Sequence, residues 1–278
     1  MQLHTIDTGL FKLDGGAIFG VVPKSIWQKS NPADENNLCT MAMRCLLIEH
    51  QNRLILIDTG IGNKQSEKFL SYYQLHGEDS LLKSINQKGY SADDITDVFL
   101  THLHLDHVGG AVISAENQLK PTFKKAVYWS NEQHWNWAIN PNDREKASFL
   151  KENILPLQES GQLQFVDPTD ASFIDVFSLR FVSGHTEAMM LPQISYKNRT
   201  IVYVADLIPT TAHLPLPYIP AYDMFPLQTL KEKKAFLEEA AHKNYILYFE
   251  HDPETECCTV VKTEKGIRLN QTFKLSEI

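Results

Sequence analysis

The sequence of 278 residues predicts a layered α/β fold, two mixed β-sheets packed together with helices outside them. Three observations lead there. Short apolar, β-rich runs recur in both halves of the chain, stretches with helical periodicity lie between them, and no shift in composition marks a linker or a repeat. Hydrophobic residues at 43% and charged residues at 22% suit a chain that buries a core. Residues 1–278 are therefore read as one domain.

The first sheet opens with Met41 to Glu49 and Arg53 to Asp58, two β-rich runs separated by His-Gln-Asn, which is the signature of a hairpin. Helical spacing follows over Ser80 to Lys88 and stops at Gly89. The run Asp97 to Leu100 reads as a buried strand leading directly into THLHLDHVGG. Ala126 to Trp129 reads as another strand. Asn131 to Ile139 and Arg144 to Asn153 read as helices around a turn at Asn140 to Asp143. In the second half, Ser178 to Val182 leads into SGHT and Thr200 to Ala205 leads to Asp206. After a Pro-rich stretch, Gln228 to Lys243 has a helix pattern, and Tyr245 to Glu250 is a strand ending at His251.

The formal charge of −8 disfavours attraction to phosphate backbones, so nucleic acid is not an expected partner. Cys39, Cys45, Cys257 and Cys258 have neither metal-finger spacing nor the density of a disulfide scaffold, and are read as free, mostly buried thiols. The N-terminal stretch lacks the basic and apolar regions of an export signal, and the apolar runs are of strand length. The expectation is a cytoplasmic protein that does not engage membranes and acts on a small-molecule substrate, with a homodimer left open.

His102, His104, Asp106 and His107 form a HxHxDH run where a strand gives way to a Gly-bearing loop. Imidazole and carboxylate suit Zn²⁺ and related ions, and alternate positions beyond a strand turn two histidines toward one ion. An isolated HxH is as often a solvated loop pair. Here three further candidates, His185, Asp206 and His251, each follow a β-rich run, so all seven can share one edge. More ligands gather than one tetrahedral ion accepts, which predicts two divalent ions per chain, Zn²⁺ first, with Mn²⁺, Fe²⁺ or Co²⁺ as substitutes.

With these motifs the chain resembles the metallo-β-lactamase superfamily. Asp58 in LILIDTG, the run His102 to His107, His185 in SGHT, Asp206 in YVADL and His251 in FEHD match that family's successive motifs in order. The resemblance implies an αββα sandwich with the site along one edge. It also implies that His102, His104 and His185 hold one ion, that Asp106, His107 and His251 hold the other, and that Asp206 bridges them. Asp58 is read as a supporting carboxylate rather than a ligand. The segments LDGGAIFGVVPKSIWQK and ADLIPTTAHLPLPYIPAYD resemble the quorum-quenching lactonase and organophosphate-hydrolase branch. One departure stands out: Leu207 to Thr210 follow Asp206, where acyl-homoserine lactonases place a carbonyl-contacting Tyr.

Two adjacent ions would supply hydroxide to an electrophilic carbonyl, with Asp106 as the catalytic residue orienting it and passing its proton to the leaving oxygen. The leading expectation is a lactone or ester hydrolase, with promiscuous phosphotriesterase activity. The alternatives are a glyoxalase II-like thioesterase and a metal-bearing sensor without turnover. His4, His50, His76, His134 and His242 receive no role. His213 reads equally as a substrate contact or a packed loop residue. Trp27, Trp129, Trp135, Trp137 and Phe19 read as core or lid packing.

Overall fold

In a computed structural model, which describes residues 1–169, 172–173 and 175–278, the chain divides into two compact units. One comprises Met1–Leu10 and Met43–Ala171, the other Phe11–Ala42 and Ser172–Ile278. The boundaries fall inside the two long opening strands, β1 (Gln2–Asp14) and β2 (Leu38–His50).

The sheet of the first unit continues with β3 (Arg53–Ile57) and β4 (Asp97–Phe99). A small hairpin, β5 (Val112–Ala115) and β6 (Gln118–Pro121), precedes β7 (Val127–Ser130) and β8 (Leu163–Phe165). The order is β1-β2-β3-β4-β7-β8, with β5-β6 separate. The expected hairpin is present: β2 and β3 pair antiparallel from Leu46↔Ile57 to His50↔Arg53, turning at Gln51 and Asn52, with Gln51 at φ 52°. From β3 onward the ladder is parallel through β4, β7 and β8. A parallel strand is covered on both faces, and Ile55, Leu56, Val98 and Phe99 are all fully buried. Consecutive parallel strands send their carboxyl ends the same way, so the chain segments after β3 and β4, Asp58–Thr59 and Leu100–His107, emerge side by side. Asp58 N accordingly donates to Phe99 O at 3.0 Å.

Helices fill the connections of this unit. Leu81–Gln87 buries Leu81 and Ile85, and Gly89 ends it at φ 89°. Glu132–Ile139 is capped by Asn131, whose side-chain oxygen accepts from His134 N at 2.8 Å.

The helix expected over Arg144 to Asn153 is displaced: residues 143–148 form turns and the helix is Lys151–Glu159. The Asn142 side-chain oxygen accepts from Arg144 N (2.9 Å) and Glu145 N (3.1 Å), and Ser148 O is taken by Leu105 N (3.0 Å). A local side-chain turn and a partner distant in sequence thus take the groups that a helical ladder would use.

The second unit carries a seven-stranded sheet. Its strands are β9 (Ser172–Phe173), β10 (Phe177–Val182), β11 (Met189–Tyr196), β12 (Arg199–Tyr203), β13 (Ile246–Tyr248), β14 (Cys257–Thr263) and β15 (Gly266–Phe273). They lie in the order β15-β14-β13-β12-β11-β10-β9, and β12 and β13 are its parallel pair. Two strands end earlier than the sequence suggests. β12 stops at Tyr203, and a short 3₁₀ turn, Ala205–Leu207, carries Asp206, with Ala205 at φ 41°. β13 stops at Tyr248, three residues before His251. The helix Pro226–Lys243 begins with Pro at its first position, where no amide donor is needed, and ends at Asn244 in the left-handed region.

All four cysteines are free and buried. Among the described residues no helix is long and apolar enough to cross a membrane.

Candidate metal centre

The HxHxDH run begins three residues after β4 ends, and its backbone is tied on both sides. Thr59 N and Oγ1 both donate to His107 O, at 2.8 and 2.7 Å, and Leu103 N donates to His134 Nε2 at 2.8 Å. His102 and His107 are fully buried, whereas the Asp106 carboxylate keeps 17% exposure.

Asp58 sits behind the run at φ 58°. It accepts from Thr101 N (2.8 Å), Thr101 Oγ1 (2.7 Å) and His107 Nδ1 (3.1 Å).

These contacts assign the imidazole protons. An ionised carboxylate accepts only, so His107 carries its proton on Nδ1 and presents a lone pair at Nε2, which faces Asp106 Oδ1 at 3.9 Å. Thr101 has spent its hydroxyl proton on Asp58, so at 3.1 Å it accepts from His102 Nδ1–H. His102 Nε2 is then a lone pair as well. His104 directs Nε2 at Glu145 Oε1, 2.9 Å away, which leaves Nδ1 deprotonated. His102 Nε2 and His104 Nδ1 lie 3.1 Å apart. Two lone pairs at that separation repel unless a cation sits against both.

The second unit repeats the arrangement. His185 Nδ1 donates to Asp223 Oδ1 (2.9 Å), and His251 Nδ1 donates to Ala42 O (2.9 Å). Their Nε2 atoms face the two different oxygens of Asp206, Oδ2 for His185 and Oδ1 for His251, each at 3.0 Å. Each contact needs a positive charge between its two atoms, a proton or a cation.

Burial alone would lower the His185 pKa. Asp206 and then Asp223 outweigh it and push it up to about 10, so without a metal a proton supplies the missing positive charge. The loop holding His185 is fixed by Glu232, which accepts from Ser183 N and Gly184 N at 2.9 Å each. Asp252 anchors the segment after Asp206 by accepting from Thr211 N (2.8 Å) and Oγ1 (2.7 Å). Imidazole and carboxylate donors with outward protons and inward lone pairs are a set that fits divalent ions.

Several residues of this network had no legible signal in sequence. Glu145, Asp223 and Thr101 stand 41, 38 and 1 residues from the histidines they contact; Glu145 is in no motif, and Thr101 and Asp223 are the end residues of quoted segments whose partners the sequence does not name. His134, given no role from sequence, is buried against the backbone between the two motif histidines.

His213 is packed: Phe19 stacks on it at 4.8 Å, Thr210 Oγ1 contacts Nδ1 at 2.8 Å, and Nε2 contacts Ile18 O at 3.0 Å. Trp27 stacks on Phe19, Trp129 Nε1 donates to Asp97, and Trp137 Nε1 donates to Glu145. A cavity of about 350 Å³ in the first unit, walled in part by Thr8, Met43, Thr59, Leu81, Gly110 and Thr122, includes none of the seven candidate ligands.

The fold and these donor sets define the class. The chain belongs to the metallo-β-lactamase superfamily, whose model matches residues 44–251. The αββα architecture expected from the motifs is that family's fold. A metal-dependent hydrolase is its functional type.

Among solved structures the chain is similar to a probable metal-dependent hydrolase from Staphylococcus aureus, at 28% identity over 98% of this chain and 96% of that one, with a TM-score of 0.86. It shares its fold with AidC, a dizinc quorum-quenching lactonase in complex with a product, at 24% identity, 98% and 95% coverage and a TM-score of 0.80. It also shares it with an N-acyl homoserine lactone hydrolase bearing N-hexanoyl-L-homoserine at its catalytic metal centre, at 20% identity, 91% and 93% coverage and a TM-score of 0.70. No curated protein matches the chain in sequence.

Proposed function

We propose that the protein is a hydrolase of lactones or related oxygen esters, using two divalent ions, Zn²⁺ in the first instance, held by His102, His104, Asp106, His107, His185, Asp206 and His251. The observation that carries this reading is the facing of acceptors in both donor sets, above all Asp206, whose two oxygens each meet a separate histidine nitrogen at 3.0 Å. A carboxylate so placed would hold the metal ions together with His185 and His251. The family model spans both donor sets, which supports treating residues 1–278 as one catalytic domain. The similarity to lactonases supports the substrate class.

When bound, such an ion pair acidifies water and polarises a carbonyl. The remaining work falls to the chain. Asp106, the partly exposed carboxylate of the run, takes the proton of the attacking water and delivers it to the leaving alkoxide. Asp58 and Asp223 keep His107 and His185 in the tautomers that turn Nε2 inward. Burial and then the Asp106 charge push the Tyr73 hydroxyl up to about 12 from an ordinary 10, which extends its range as a hydrogen-bond donor further into alkaline pH.

The test compares kcat/KM of zinc-reconstituted protein for an aliphatic lactone, a medium-chain acyl-homoserine lactone, lactoylglutathione and a phosphotriester. A lactone is expected to lead, and preference for lactoylglutathione would overturn the assignment. Asp206→Asn is expected to lower zinc content from two ions toward none. Loss of a single ion would show that Asp206 does not serve both.

A further inference from the structure

Glu145 lies outside every motif, yet it is 2% exposed and groups of its own unit direct its carboxylate. Oε1 meets His104 Nε2 at 2.9 Å, and Oε2 accepts from Trp137 Nε1 at 2.6 Å and from Asn142 Nδ2 at 3.4 Å. The turn that carries it is set by the Asn142 side chain and joined to the metal loop through Leu105 N and Ser148 O at 3.0 Å. Phe149 packs against the His104 ring with centroids 4.9 Å apart.

A buried carboxylate is costly unless donors surround it, and here the donors are an indole, an amide and one imidazole. That arrangement holds the imidazole proton on Nε2.

We propose that Glu145 is the positioning residue for His104: its carboxylate holds the proton on Nε2 and so commits Nδ1, which faces His102 Nε2 at 3.1 Å, to the cation. The Trp137-bearing helix and the turn after it thereby act on the metal loop. Their role is to fix Glu145, the indole by clamping the oxygen that His104 leaves unused. A neutral imidazole in water divides its proton between the two nitrogens. Without Glu145, His104 would place the proton on Nδ1 in part of the population, where it blocks metal binding, and would also lose the anion that makes the ring a stronger donor. This inference rests on the metal reading above, but its first measurement does not need a metal.

The experiment uses the full chain. In metal-free protein, long-range ¹H–¹⁵N spectra report the His104 tautomer, which is expected to be Nε2–H in the unaltered chain and in Glu145→Gln, whose amide oxygen still accepts. In Glu145→Leu it is expected to be mixed or reversed. Zn²⁺ alone, titrated against a chromophoric chelator, is expected to bind 10- to 100-fold more weakly to Glu145→Leu, with Glu145→Gln restoring most of the loss. Should Glu145→Leu fail to fold, Glu145→Asp, which keeps the charge but withdraws the reach, is expected to give the same tautomer change.

A tautomer that does not respond to either variant, or an unchanged zinc affinity, overturns the proposal. Absence of zinc binding by the unaltered chain overturns the metal reading itself and is seen separately from the tautomer.

Discussion

His213 shows how one residue's surroundings decide its chemistry. It is fully buried, stacked on Phe19, and its Nε2 proton is held by Ile18 O, so the ring is neutral. Burial is the dominant cause that lowers its pKa to about 4 from an ordinary 6.5. The folded state therefore refuses a proton that the unfolded chain accepts. Between pH 6.5 and 4 the unfolded state binds more protons, and stability falls as pH falls through that window. The loss approaches about 3 kcal/mol at the acid end. His213→Gln, which keeps a hydrogen-bonding side chain without a titrating ring, is expected to flatten the acid limb in urea unfolding from pH 7 to 4. An unchanged slope would assign that limb to other groups. The motif histidines and His213 are alike as letters in the sequence. What separates them is the second nitrogen, which faces another candidate ligand in the motif histidines, whereas in His213 Thr210 Oγ1 and Ile18 O take both nitrogens.

The loop after the HxHxDH run depends on two glycines for close approach. A Cβ on Gly109 would lie 2.0 Å from Ile61 O, and one on Gly110 would lie 2.2 Å from Thr59 O. Gly109→Ala is expected to cost about 3 kcal/mol, because a backbone carbonyl cannot rotate away as a side chain would. Gly161→Ala meets nothing within 4 Å and sits at φ 75°, so it is expected to cost only about 1 kcal/mol for the left-handed conformation. Equal losses in urea denaturation would refute the packing argument.

Strands with strong apolar runs were legible as elements, β2, β3 and β4 among them. β1 and β15 were not, because their residues are mostly half-buried or exposed and alternate weakly. The misplaced helix at Arg144 to Asn153 has the same origin at another level. Helical periodicity measures local preference, and there Asn142 and the Ser148–Leu105 contact outweigh it.

For the whole molecule, ions bound only by the folded state add stability that depends on free metal. At a free Zn²⁺ concentration one hundred times its Kd the gain is about 2.7 kcal/mol. Chelation of zinc-loaded protein is therefore expected to lower Tm by roughly 5 to 10 °C for a chain of this size, measured by calorimetry with and without EDTA. An unchanged Tm after verified metal removal would show that the donor sets do not couple ions to folding.

The sequence by itself determined the superfamily, the layered α/β class and the seven candidate ligands. Those ligands follow strands in a fixed order, and their residue types suit divalent ions. Only the tertiary structure decided which nitrogen of each imidazole carries a proton, through Thr101, Glu145, Asp58, Asp223 and the Ala42 carbonyl. Those partners are brought to the histidines by the parallel ladder and by the turns after it. A hydrogen bond between groups 41 residues apart, as from His104 to Glu145, leaves no periodicity to read.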